Sequence, residues 1–121
     1  MDAAGNGRLE ALETVEQTLR LNRGELIYHP EILRLRGELR LKPGQTELAE
    51  ADFREAIALA QKMSAKAWEL RATMSLGRLL ASKGRCDEAH TMLAEIYNWF
   101  TEGFDTADLK DAKALLDELS S

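Results

Sequence analysis

The feature that most constrains this chain is a correspondence between two stretches of sequence that lie 40 positions apart. Each stretch reads as a helix-forming segment, a glycine turn and a second helix-forming segment. One helix pair cannot bury its own apolar stripe, so such units have to stack on their neighbours. The offset therefore predicts a solenoid of helix pairs. The matching residues are Gly37 and Gly77, Gly44 and Gly84, Ala49 and Ala89, Phe53 and Leu93, and Ala56 and Ile96.

The segments between the glycines and prolines predict helices throughout. They are rich in Ala, Leu, Glu, Arg and Lys and contain few β-branched residues, which is a helix-forming composition. Apolar residues recur in them at steps of three and four, which places them on one face of a helix. The stripes are Leu12, Val15 and Leu19; Ile32, Leu35 and Leu39; Ala49, Phe53, Ala56, Ile57, Ala60 and Met63; Leu70, Thr73, Gly77 and Leu80; Ala89, Leu93, Ile96 and Phe100; and Leu109, Ala112, Leu116 and Leu119.

We therefore predict an all-α fold, an α-α superhelix of about six helices in antiparallel pairs. Its 121 residues suit one domain with a single core. Short loops favour antiparallel neighbours. The predicted parts are a half repeat over 8–22, a first repeat over 31–63, a second repeat over 65–101 and a C-terminal capping helix over 105–120.

Charge and cysteine content narrow the classes of partner. A net charge of −5 disfavours nucleic acid and anionic membranes, because both reward a dense basic surface. Cys86 is the only cysteine, so neither an internal disulfide nor a cysteine-rich zinc site is expected. No signal peptide and no apolar run of about 20 residues is visible. These features predict a cytoplasmic protein with no nucleic-acid and no membrane partner.

Four acids spaced three apart, Glu102, Asp105, Asp108 and Asp111, follow an aromatic stretch near the end of the chain. A calcium loop needs oxygen ligands at alternate positions, so this spacing does not fit one. We interpret the acids as the start of a helix. Asp105 or Thr106 would cap its free N–H groups, and Asp108 would lie in the favourable field of its first turn.

The aromatic residues around this corner are interpreted as packing groups. Trp99 and Phe100 would close the last repeat helix, and Gly103 would end it in a left-handed turn. Phe104 would pack back against that helix end. Aromatic side chains at helical spacing contribute to a core more often than to a ligand site.

Other candidates for chemistry are weak. Asp87 and His90 lie one helical turn apart, but a carboxylate-bridged metal site needs a second such pair, which the chain lacks. Cys86 follows the Gly84 turn, where a thiolate is favoured, but no activating base is apparent beside it. We expect no catalytic residue, no metal and no cofactor.

The strongest candidate for binding is the first helix of the second unit, which presents Trp68, Arg71, Met74 and Arg78 at steps of three and four. In stacked helix pairs the first helices line the concave surface. Forty positions earlier, Arg34 and Glu38 correspond to Met74 and Arg78. These residues predict an arginine-bearing groove for an acidic peptide, tail or domain. A merely solvated charged face is the alternative, since charged exposed faces are common.

The spacing within each unit resembles the tetratricopeptide repeat. Leu76 and Gly77 form the Leu-Gly pair of the first helix, Gly84 is the turn glycine, and Ala89-x-x-x-Leu93 opens the second helix. The period of 40 exceeds the usual 34. The usual tryptophan is Leu33 or Thr73 here, the usual tyrosine is Arg40 or Leu80, and the closing proline is missing.

A closer resemblance runs from Glu31 to Leu119, and "YNWFTEGFDTADLKDAKALLDEL" is its most specific part. This region is similar to the C-terminal repeats of bacterial adenylate or guanylate cyclases and transcriptional regulators that carry an NTPase module. The resemblance implies a regulatory, protein-binding module in signalling or transcription, without the catalytic activities of those proteins. A self-associating domain is the alternative, because a second copy would cover the open first end of the stack.

Overall fold

A computed structural model describes residues 11–17 and 29–120 of the chain, and these residues form helices and connecting turns without any strand. The all-α prediction is confirmed. Positions 8–10 and 18–22 of the predicted half repeat lie outside the described residues. The helices are α1, which includes residues 11–17, α2 (His29–Leu41), α3 (Thr46–Lys62), α4 (Lys66–Ser82), α5 (Cys86–Tyr97) and α6 (Ala107–Leu119).

The three turns that join α2 to α5 share one backbone geometry and are spaced 20 residues apart. Gly44, Ser64 and Gly84 have positive φ angles of 85°, 55° and 79°. In each turn the next residue donates its N–H to a carbonyl five residues back, at 2.9 to 3.0 Å. This pattern satisfies the free carbonyls at a helix end. The 40-residue offset is therefore twice a unit of one helix and one turn.

Ser64 is the residue among these three that is not glycine, although its backbone has the same left-handed conformation. A left-handed conformation costs a non-glycine residue about 1–2 kcal/mol, and Ser64 adopts it with φ at 55°. We expect Ser64→Gly to raise the free energy of unfolding by up to about 1 kcal/mol. Urea denaturation followed by circular dichroism measures this, with Gly84→Ser as the reverse change. Equal stability of wild type and Ser64→Gly would contradict the argument.

Helix α4 lies at the centre of the fold. It contacts α3 and α5, its neighbours in the chain, and also α2 and α6. Among the helices from His29 onward, the backbones of α3 and α5 stay apart, as do those of α2 and α6, although the side chains of Arg54 and Glu88 meet between α3 and α5. One layer thus contains α2, α4 and α6, and the other contains α3 and α5. Because it is enclosed in this way, α4 buries ten of its 17 residues.

The core follows most of the predicted stripes. The most deeply buried large side chains include Phe53, Leu70, Leu76, Leu80 and Leu93, which come from α3, α4 and α5. In α6, three of the predicted residues are buried: Leu109, Ala112 and Leu119. Leu115 is buried although it was not predicted, and the predicted Leu116 is only partly buried.

The predicted stripe of α2 is wrong. The helix buries Pro30, Leu33 and Gly37, whereas Leu35 is 42 % exposed. The physical reason is that α2 approaches α3 through Gly37, whose backbone lies against the Phe53 ring. A count of large apolar residues does not register a contact made through a glycine.

The corner after α5 also differs from the prediction. Helix α5 ends at Tyr97, so Trp99 and Phe100 lie beyond it and Gly103 does not terminate it. Gly103 does have a positive φ of 80°, and its carbonyl accepts from the N–H of Thr106 at 2.9 Å. The Thr106 hydroxyl accepts from Leu109 N–H, so Thr106 is the N-cap of α6, and Asp105 is exposed. The predicted start of α6 is confirmed, whereas the predicted end of α5 is wrong.

Candidate protein-binding surface

The predicted groove residues lie on the layer of α2, α4 and α6, where a chain of ion pairs crosses all three helices. Arg34 Nε donates to Glu31 Oε2 at 3.1 Å within α2. Arg71 Nη1 lies 3.4 Å from Glu31 Oε1, and Arg71 Nε donates to Asp108 Oδ2 of α6 at 3.0 Å. We call this series, Arg34, Glu31, Arg71 and Asp108, the ion chain. It fixes the relative positions of three helices that are distant in sequence.

Arg34 is the most strongly held member of the ion chain. Its Nη1 also donates to the buried Ser75 hydroxyl at 3.4 Å and lies 3.9 Å from a Glu38 carboxylate oxygen. The hydrogen bond to Glu31 raises the pKa of Arg34 above its usual value, although partial burial acts in the opposite direction. Arg34 is therefore a positioned, permanently charged group that already has partners on its own surface.

The remaining groove residues differ in how they are presented. Trp68 is partly buried, and the Arg71 guanidinium lies 5.6 Å from its ring centroid. Arg78 is exposed and takes part in no hydrogen bond or ion pair among the described residues. Met74 is only 5 % exposed, because α4 is enclosed by its neighbours, so it belongs to the core and not to the surface.

Two arginines of this layer are paired with three carboxylates: Arg34 with Glu31 and Glu38, and Arg71 with Glu31 and Asp108. Arg71 also lies against the partly buried Trp68, whereas Arg78 has no charged partner among the described residues. Sequence reasoning did not identify Glu31 or Asp108 as members, although Glu31 lies 40 positions before Arg71.

The residues predicted as structural markers are found in three settings. Ala49 and Ala89 are fully buried, and Gly37 lies against Phe53. Gly77 has only ordinary contacts, the nearest being Leu115 at 3.8 Å from an added Cβ. Gly84 is at a turn, as described above.

The aromatic residues of the corner contact one another in pairs. The rings of Tyr97 and Phe104 are 5.7 Å apart, and those of Trp99 and Phe100 are 5.2 Å apart. Phe104 is nevertheless 44 % exposed, and Trp99 is 57 % exposed. Phe104 therefore packs back on the last residue of α5, whereas most of the Trp99 side chain faces solvent.

The side chains considered for catalysis or metal binding lie at one end of α5. Cys86 is exposed, and it lines a shallow depression together with Asp87, His90 and Leu119. Within residues 11–17 and 29–120, no group of three or more His, Cys, Asp and Glu side chains is arranged to hold a metal ion. Over the same residues, no helix is long and apolar enough to span a membrane.

Comparison with protein-family models, with curated proteins and with solved structures gave no significant match.

Proposed function

We propose that this chain is a non-catalytic, tetratricopeptide-like module that binds a segment of a partner protein across the layer of α2, α4 and α6. The observation that carries the proposal is the ion chain, which links the three helices of this layer and whose Arg71 lies against Trp68. Helices α2 and α4 lie in parallel register, with Glu31 against Arg71 and Arg34 against Ser75, at offsets of 40 and 41 residues. Such a register is what stacked helix pairs require.

The chemistry of this layer favours a protein over a small substrate. Arginine and tryptophan are the residues that most often dominate binding energy at protein interfaces. Arg71 lies against Trp68 and is paired with Glu31 and Asp108. Because the Arg71 side chain is already ordered in this way, it loses little conformational entropy when a partner binds. Arg78 supplies a cation for a carboxylate of the partner. On the resemblance stated above, the module is the tail of a cyclase- or ATPase-containing protein of bacterial signalling or transcriptional control.

Capture of a partner from the native organism, followed by binding measurements with the purified protein, tests this proposal. We expect Trp68→Ala combined with Arg78→Glu to weaken binding at least about tenfold, as interface hot spots do. Lys62→Glu is the matched control, because Lys62 is an exposed cation at the end of α3 in the other layer. Equal loss in both variants, or loss in neither, would show that the partner binds elsewhere.

A second candidate is self-association. Leu35 of α2 and Leu48 of α3 are 42 % and 50 % exposed, and both helices belong to the first pair of the stack. A second copy could cover them. Light scattering over a concentration series decides this, since a strict monomer at millimolar concentration excludes a homodimer.

A further inference from the structure

A recess lies on the opposite side of α4 from the proposed binding layer. The backbones of α3 and α5 do not approach each other, and between them the surface of α4 is left open as a cavity of about 170 Å³. Its polar lining consists of Gln61, Lys66, Glu69, Thr73, Glu95 and Trp99.

Two polar side chains in this recess are almost completely buried. Glu69 is 8 % exposed, and its carboxylate accepts hydrogen bonds from Gln61 Nε2 at 3.2 Å and from Lys66 Nζ at 3.4 Å. Thr73 is 3 % exposed, and its hydroxyl has no hydrogen-bond partner among the described residues. Because this oxygen is not one of the fully enclosed polar atoms of the described residues, the Thr73 hydroxyl reaches the open space of the recess and is accessible to a polar ligand group there.

Side-chain ion pairs link α3 to the start of α5 and to the turn before it. Lys83 Nζ of that turn lies 3.0 Å from Glu50 of α3, and Arg54 of α3 bridges to Glu88 of α5 at 3.1 Å. The pKa of Glu50 is lowered, first by its hydrogen bond from Lys83 and then by Arg54, against the effect of desolvation. The recess lies beyond these ion pairs, between the second halves of α3 and α5.

The recess already contains a cation that belongs to the chain. Lys66 Nζ lies 3.4 Å from Glu69 and 5.4 Å from the centroid of the Trp99 ring. A carboxylate combined with an aromatic face is a recognised cation-binding arrangement. Two carboxylates, of Glu69 and Glu95, face one ammonium, so a net negative charge remains among the lining residues. Lys66 is the first residue of α4 and its side chain is 32 % exposed, which lets it turn into solvent.

We propose that this recess binds one organic cation, the guanidinium or ammonium group of an arginine or lysine side chain presented by a partner protein. The incoming cation replaces Lys66 between Glu69 and Trp99 and donates a hydrogen bond to the Thr73 hydroxyl. A cavity of about 170 Å³ holds several waters of about 30 Å³ each, and it is smaller than the pockets of about 300–1,000 Å³ that take cofactors or drugs. The volume therefore suits a single head group. This site is independent of the layer formed by α2, α4 and α6.

The chain contains its own reporters for the two surfaces. Its two tryptophans, Trp68 and Trp99, belong to the proposed binding layer and to the recess, respectively. In a nuclear magnetic resonance titration with a blocked Gly-Arg-Gly peptide, we expect the indole N–H signal of Trp99 to shift and that of Trp68 to stay. The same peptide with citrulline, a neutral analogue of arginine, should leave both signals unchanged. A citrulline effect as large as that of arginine, or a Trp99 signal that does not respond, would overturn the proposal.

Variants assign the interaction to particular groups. We expect Glu69→Gln to raise the Kd of the arginine peptide about tenfold or more, and Thr73→Val to raise it about threefold. Lys66→Met removes the internal competitor and should lower the Kd, so it tests the site by a gain of binding even if a variant at Glu69 does not fold. Glu118→Gln, at an exposed acid of α6, is the control and should leave the Kd unchanged. No effect of Lys66→Met would contradict the replacement of Lys66.

The source of the cation is tested with agmatine, a free guanidinium compound. If agmatine binds more tightly than the blocked peptide, the assignment to a partner's side chain is wrong. If the recess binds no cation, the proposed function is not thereby excluded. A partner bound on the layer of α2, α4 and α6 would still shift the indole N–H signal of Trp68, and Arg78→Glu would still weaken its binding.

Discussion

Replacing Asp52 with alanine is expected to lower the free energy of unfolding by about 3–5 kcal/mol, as breaking a buried ion pair does. Asp52 lies on α3 and is 2 % exposed. Arg36 Nη2 donates to its Oδ1 at 2.8 Å, and Arg40 Nη1 donates to its Oδ2 at 2.9 Å. Both arginines are on α2, and their side chains are less than one fifth exposed. The carboxylate therefore joins the two helices of the first pair.

The large effect follows from the charges that Asp52→Ala leaves behind. Two poorly hydrated guanidinium groups would remain at the α2–α3 contact. Their other partners are weaker: Glu55 lies 4.0 Å from Arg36, and Glu16 lies 3.4 Å from Arg40. Asp52→Asn keeps the shape and one acceptor oxygen, so its loss should be smaller than that of alanine.

Glu55→Ala provides the matched control for Asp52→Ala. Glu55 is an acid on the same helix, three residues later, and its side chain is 64 % exposed beside the same Arg36. Exposed ion pairs contribute little, so we expect a change within about 0.5 kcal/mol. Urea denaturation of the three variants, followed by circular dichroism, measures the differences. If Asp52→Ala and Glu55→Ala were equally stable, the buried ion cluster would not hold the first helix pair together.

Gly37→Ala is expected to destabilise the protein by about 1–3 kcal/mol, a typical cost of overpacking. A Cβ at this position would lie 2.5 Å from Cε1 and 2.8 Å from Cδ1 of Phe53. Phe53 is itself completely buried, so its ring has no free space into which it can turn. Either α2 must move away from α3 or the ring must leave its preferred position.

Gly77→Ala, in contrast, is expected to raise the free energy of unfolding. A Cβ there would lie 3.8 Å from Leu115 and 3.9 Å from Ala89, which are ordinary contact distances. Because glycine within a helix costs about 0.5–1 kcal/mol relative to alanine, we expect a gain of up to that size. The two substitutions occur at matching positions of the two units, so each serves as the other's control.

A third variant identifies the cause of the Gly37 effect. Phe53→Leu introduces the residue found at the matching position 93, and it should relieve most of the clash when it is combined with Gly37→Ala. Thermal or urea denaturation of the two single variants and the double variant gives the interaction energy. Purely additive effects would mean that Phe53 is not what excludes a side chain at position 37.

The two proposed surfaces use the two sides of α4 in different ways. On one side, the paired charges of the ion chain lie beside Trp68, and Arg78 adds an exposed cation. On the other, Glu69 and Thr73 lie at a small recess that is also lined by Lys66, whose ammonium lies 3.4 Å from Glu69. Because α4 contacts all four of the helices α2, α3, α5 and α6, both surfaces depend on the same central element.

Local sequence determined the helices, their approximate ends and the turns of this protein. Apolar spacing within one helix and glycines at positive φ are properties of a few neighbouring residues, so they can be read directly from the chain. This is why Gly44 and Gly84, the start of α6 at Thr106 and the buried apolar residues of α3 could be predicted from the sequence. The turn at Ser64 has the same geometry but could not be predicted, because serine, unlike glycine, does not indicate a positive φ angle.

Only the tertiary structure decided which helix faces are covered and which charges meet. Asp52 binds Arg36 and Arg40, which lie 16 and 12 residues earlier in the sequence. Arg71 binds Asp108, which lies 37 residues later. Met74 is buried because α4 has neighbours on several sides, which the period of one helix cannot show. Gly37 and Gly77 match in sequence, yet they differ in space, since one lies against a phenylalanine ring and the other does not. The physical reason is the same in each case: burial and ion pairing depend on the side chains that other helices bring near.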